Sequence, residues 1–133
     1  MSLSVFEIFK IGIGPSSSHT VGPMKAAKHF LLEAKKRGLL QNKYKIFCDL
    51  YGSLALTGKG HGTDKAVIIG LLGKDPEFID TSQIYKEVEN CKKLKVLNAL
   101  NEKEMKFEID FHKSKKLQYH SNGMVFHIVN SEK

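Results

Sequence analysis

Two polar, glycine-rich stretches hold the side chains best suited to chemistry. The first runs Ile11-Gly12-Ile13-Gly14-Pro15-Ser16-Ser17-Ser18-His19-Thr20-Val21-Gly22-Pro23. It reads as a loop feeding the first turn of a helix, where free backbone N–H groups, hydroxyls and the positive end of the helix dipole converge. A carboxylate or phosphate suits such a place, with Ser16, Ser18, Thr20 and a protonated His19 as candidate partners. The same residues would also serve as a serine-rich cap without a ligand. The second stretch is Gly58-Lys59-Gly60-His61-Gly62-Thr63-Asp64. Three glycines in five residues let this backbone approach a ligand closely. His61, held between two of them, has the chemistry of a general base once its second ring nitrogen is oriented. Thr63 and Asp64 lie near enough to orient it, or to cap the helix that follows; the alternative for His61 is an ordinary surface residue in a turn.

Spacing excludes several other chemistries. There is no Gly-x-x-x-x-Gly-Lys-[Ser/Thr] phosphate loop, and Gly12-Ile13-Gly14 continues as Pro-Ser-Ser, unlike a dinucleotide fingerprint. The six histidines include no pair at four-residue spacing on a predicted helix, so the sequence predicts no metal site. Ser17 and His19 are too close in sequence for the geometry of a nucleophile dyad. Cys48 and Cys91 form no Cys-x-x-Cys and read as two free thiols.

At 133 residues the chain is expected to form one domain, residues 1–133, with a genuine core. The net charge of +7 would suit a nucleic acid, but the lysines are scattered, few aromatics interleave them and Arg37 is the one arginine. No nucleic-acid partner is expected. The longest apolar run, Ala66 to Leu72, is far below the roughly 20 residues that span a bilayer. The start, Met1-Ser2-Leu3-Ser4, lacks the basic and apolar regions of a secretory signal, so a cytoplasmic location is expected.

Periodicity supplies the elements that must position these stretches. Ser4-Val5-Phe6-Glu7 has capping-box spacing and predicts a short first helix through Ile8 and Phe9. Met24, Ala27, Phe30, Leu31 and Ala34 share one face of a helix ending at Gly38. Tyr44 to Tyr51 alternates as a strand. Thr63 or Asp64 is the expected cap of an apolar helix closed by Gly73, and Ile84, Val88 and Cys91 mark another helix ending near Leu94. Strands are predicted at Lys95 to Leu100, Met105 to Phe111 and Met124 to Val129, with the later ones antiparallel because the 101–103 link is of hairpin size. The sum is an α+β fold with helices packed on one mixed, largely antiparallel sheet. The last strand stops so near Lys133 that the chain is expected to be part of a longer one.

The stretch Ser4 to Met24, together with Tyr51 to Asp64 and His120-Ser121-Asn122-Gly123-Met124, resembles the N-terminal, or β, domain of bacterial iron–sulfur L-serine dehydratases (L-serine ammonia-lyases), in the single-chain form. The resemblance covers the whole chain. It implies elimination of water from L-serine, with release of pyruvate and ammonia in amino-acid degradation and gluconeogenesis. It also implies a 4Fe-4S cluster acting as Lewis acid on the departing hydroxyl. The cluster's cysteines belong to the family's catalytic α domain; neither Cys48 nor Cys91 lies in a matching motif, so this chain alone is expected to hold no cluster and to be inactive. The implied roles are substrate carboxylate binding by Ser16, Ser18, His19 and Thr20, proton abstraction by His61 oriented by Thr63, and further substrate contacts from His120 and Asn122. The implied partners are L-serine, the α domain and a second copy in a homodimer. The family's β domain is also similar to the allosteric substrate-binding domain of some phosphoglycerate dehydrogenases, which makes a non-catalytic anion-binding or regulatory module the alternative.

Overall fold

The computed structural model of the chain describes residues 9–12, 21–52, 55, 62–74, 81–112 and 123–130. In these, five strands form one sheet: β1 (Phe9–Gly12), β2 (Tyr44–Tyr51), β3 (Val96–Ala99), β4 (Lys103–His112) and β5 (Gly123–Asn130). Three helices accompany them: α1 (Val21–Lys36), α2 (Thr63–Leu71) and α3 (Thr81–Leu94). The strand order is β1-β5-β2-β4-β3. Only β2 and β4 run parallel; the other three pairings are antiparallel. Helices on a mixed, mostly antiparallel sheet are the fold class that the sequence predicts.

Alternation decides the faces of the sheet. On β2, Tyr44, Ile46, Cys48 and Leu50 are buried while the residues between them are half-buried. Met105 and Phe107 on β4 and Met124, Phe126 and Ile128 on β5 join them under the helices. α1 brings Met24, Ala27, Phe30, Leu31 and Ala34 to this core, and the Phe30 and Phe126 rings stack 5.0 Å apart. Each fully buried side chain of that size contributes about 1.5–3 kcal/mol.

The helix ends follow from local chemistry. α1 closes in a Schellman turn: the Leu39 N–H bonds the Ala34 carbonyl, the Gly38 N–H bonds Lys35, and Gly38 takes the left-handed conformation at φ 73°. Lys35 and Lys36 complement the dipole at that end. α2 is apolar on nearly every side, as a helix enclosed by others must be, with only Lys65 of its nine residues not buried. Its end is tied to the β3–β4 hairpin, because the Leu100 N–H bonds the Leu71 carbonyl at 2.8 Å.

Two expectations need correction. Phe9 to Gly12 is a strand, not helix or loop; pairing with Gly123 to Phe126 outweighs the local helix signal, and the capping box itself lies outside the described residues. The later strands run antiparallel as expected: β3 and β4 form the hairpin, and β5, which lies between β1 and β2, runs opposite to β2 and so to β4. The cap of α2 is Gly62, in the left-handed conformation at φ 76° and without a side-chain cap bond, so neither Thr63 nor Asp64 has that role.

α2 packs its Gly70 directly against the backbone of α1. A Cβ there would stand 2.2 Å from the Met24 carbonyl oxygen and 2.9 Å from the Ala27 Cβ. Alanine is the better helix former by about 1 kcal/mol, but the obstacle is backbone and cannot rotate away. Gly70→Ala is therefore expected to destabilise the chain by about 1–3 kcal/mol in urea denaturation, against the helix-propensity trend.

Candidate functional site

The sheet brings the predicted stretches to one end. Gly12, the last residue of β1, pairs with Gly123, the first of β5. Leu50 pairs with the next β5 residue, Met124, and Tyr51 at the end of β2 pairs with His112 at the end of β4. The connection carrying Ser16, Ser18, His19 and Thr20 leaves from this row, as do the connection carrying His61 and the connection carrying His120 and Asn122. Those seven residues themselves lie outside the described residues. The row arises because β4 runs parallel to β2 while β5 runs against both, so three strand exits and one entry coincide.

Thr63 is the predicted site residue that is described. It opens α2 and is wholly buried at 0% exposure, and its Oγ1 has no hydrogen-bond partner among the described residues. A buried hydroxyl left unsatisfied costs about 1–3 kcal/mol, and none of the described residues satisfies this one. Asp64 beside it is buried and forms a 2.9 Å ion pair with Lys92 of α3.

A second group of chemically competent residues occupies the sheet face away from the helices, at the same end. Asp49 on β2 lies between two histidines: His112 Nε2 is 2.7 Å from its Oδ1, and His127 Nδ1 on β5 is 3.8 Å from its Oδ2. The His112 ring stacks on Tyr51 at 4.6 Å and the His127 ring on Phe47 at 5.0 Å. A carboxylate bond on one nitrogen and an aromatic ring against the face fix the orientation of His112, as an acid–base or hydrogen-bonding imidazole requires. The predicted strand Met124 to Val129 contains His127, and Met105 to Phe111 ends one residue before His112; the sequence singles out neither. The signal available was the alternation Phe47-Asp49-Tyr51 on one face of β2, but its partners come from β4 and β5.

The acids on this face differ in their surroundings. Lys45, 3.1 Å away, holds the Glu108 carboxyl below the usual range through a hydrogen bond and its charge. Burial pushes Asp110 up, reinforced by the charges of Glu108 and Asp49. A carboxyl raised in the folded chain favours folding while protonated, and that contribution is lost as pH rises through its raised value. Asp110→Asn keeps the neutral form and its bond to Glu108. It is expected to raise the melting temperature at pH 7 and to converge with the wild type in acid, as thermal scans across pH would record.

The described residues do not suit an iron–sulfur cluster. Among them no group of three or more histidines, cysteines or carboxylates is arranged to hold a metal. Cys48 and Cys91 are both buried, and burial pushes both thiols up, away from the thiolate form that ligates metal.

The family described as serine dehydratase beta chain matches residues 4–133. The chain is 43% identical to an L-serine dehydratase of Streptomyces coelicolor over 136 aligned positions, covering 99% of this chain and 30% of that protein. It is 45% identical to L-serine dehydratase 1 of Escherichia coli K12, covering 98% of this chain and 30% of the relative. To the L-serine dehydratase TdcG of the same organism it is 57% identical over 82 positions, which cover 62% of this chain and 18% of that protein. The chain belongs to the serine dehydratase beta chain family. It spans 30% of the length of the first two relatives.

Proposed function

We propose that this chain is the β domain of an L-serine ammonia-lyase and supplies one wall of an active site shared with the catalytic α domain. The observation that carries the reading is the common row at which β1, β2 and β4 end and β5 begins, since all three family-like stretches connect there. Membership of the β-chain family and relatives named L-serine dehydratase support the substrate. In this reading Ser16, Ser18, His19 and Thr20 hold the carboxylate of L-serine, with His120 and Asn122 as further contacts. His61 removes the α-proton, and Thr63 orients it. Loss of that proton and of the β-hydroxyl as water gives aminoacrylate, which hydrolyses to pyruvate and ammonia. The 4Fe-4S cluster belongs to the α domain, where its ligands are sought; the assembled enzyme is a cytoplasmic homodimer. A regulatory anion-binding module is the other reading.

Anaerobic mixing of this chain with the separately expressed α domain tests the proposal. The pair is expected to form pyruvate from L-serine while neither part does so alone. Activity from this chain by itself, or none from a folded pair with an intact cluster spectrum, would overturn it.

Two substitutions in the full-length enzyme separate the roles. His61→Ala is expected to lower kcat by about two to four orders of magnitude with the cluster absorption unchanged, and a loss below about tenfold would return His61 to an ordinary loop residue. Thr63→Val removes only the hydroxyl that no described residue partners. It should leave the melting temperature equal or higher while kcat falls, a split that steady-state kinetics beside thermal denaturation would reveal.

A further inference from the structure

Among the described residues the sheet has an open edge with a cavity beside it. β3 pairs with β4 only from Lys103 to Lys106, and one further bond, from the Phe107 N–H to the Lys95 carbonyl, ends the ladder. Odd-numbered β4 residues turn their backbone groups to the β3 side, so those of Ile109 and Phe111 face that side where no described strand follows. A cavity of about 480 Å³ lies there, bordered by Ile109 and Phe111 from the helix-covered face and by Glu108 and Asp110 from the open face. Contributions from both faces of one strand are the mark of a strand edge. Ile68 extends the apolar floor, and the Asp64–Lys92 ion pair forms the far wall.

Charge tells what the edge would accept. Glu108 has Lys45. Asp110 sits beside Glu108 and across from Asp49, with His112 as the nearby basic group. Lys95 also lines the cavity and acts on Glu108, so the carboxylates of Asp49, Glu108 and Asp110 face the ammonium groups of Lys45 and Lys95, an excess of one negative charge centred on Asp110. A second copy is a poor occupant: pairing the whole stretch from Phe107 to Phe111 with itself sets Glu108 directly against Asp110, and like charges in that position destabilise a sheet.

We propose that the β4 edge at Ile109 and Phe111 is a docking site for an extended peptide segment of a partner protein, which adds a sixth strand. The segment alternates apolar and basic residues, its apolar side chains lying opposite Ile109 and Phe111 and a lysine or arginine opposite Asp110. Backbone bonds to the edge supply affinity and the alternate side chains supply selectivity.

Peptides test this on the 133-residue chain. Acetyl-Val-Lys-Val-Lys-Val-amide is expected to bind saturably and to slow hydrogen exchange at the Ile109 and Phe111 amides. The glutamate counterpart should bind at least about tenfold more weakly, and Asp110→Lys should reverse that order, as expected for one close charge pair. Asp110→Asn, which conserves shape, should weaken the lysine peptide without improving the glutamate one. Equal binding of both peptides, protection elsewhere than Ile109 and Phe111, or no binding would overturn the proposal. So would concentration-dependent dimerisation abolished by Asp110→Lys, since the occupant would then be a second copy.

Discussion

Everything in this domain depends on the register of β2. It is bonded on both sides, parallel to β4 and antiparallel to β5, and its residues alternate strictly between helix-covered core and open face. A one-residue slip would turn Cys48 and Leu50 outward and bury Asp49. The same register makes the ends of β1, β2 and β4 meet the start of β5. The close contact of Gly70 with Met24 and Ala27 then fixes α1 and α2 against each other, so that the helices following the first two predicted stretches are held as one unit.

The open face is organised by charge and aromatic stacking where the covered face is organised by volume. Asp49, with 16% of its side chain exposed, gathers imidazoles from two neighbouring strands, and Phe47 and Tyr51 on its own strand support their rings. Asp110, directly across from Asp49, lacks an equivalent arrangement. Glu108 and Asp110, two residues apart on β4, thus move in opposite directions, the first held down by Lys45 and the second pushed up by burial and by its acidic neighbours.

Sequence periodicity reveals elements whose burial is regular. Tyr44–Tyr51, the stripe from Met24 to Ala34 and the spacing of Ile84, Val88 and Cys91 all read correctly, because one-sided burial imposes period 2 or 3.6. β1 was not legible: four residues, one of them glycine, are too few to show alternation, and the capping box upstream argued for helix. The position of β5 was equally hidden, since strand order is set by contacts far apart in sequence. Glycine as the cap of α2 displaced two better capping residues, Thr63 being buried and Asp64 engaged with Lys92. Of the candidate site, residue types and motifs were legible, but the meeting of three segments at one sheet end required the topology. The Asp49, His112 and His127 group required it too, because no local pattern links positions on three strands.

The place of β5 has a consequence for how the domain is made. It is the last described strand in sequence, yet it lies inside the sheet, with β1 on one side and β2 on the other. During synthesis, which proceeds from the N-terminus, β1 and one edge of β2 have no partner among the other described strands until the residues after Gly123 leave the ribosome. Helices and the β3–β4 hairpin can form early from nearby residues, whereas closing the sheet joins Phe9 to Phe126 across most of the chain. Folding is thus obliged to finish after translation of the domain, and the nascent chain spends that interval with an apolar strand edge exposed to its neighbours.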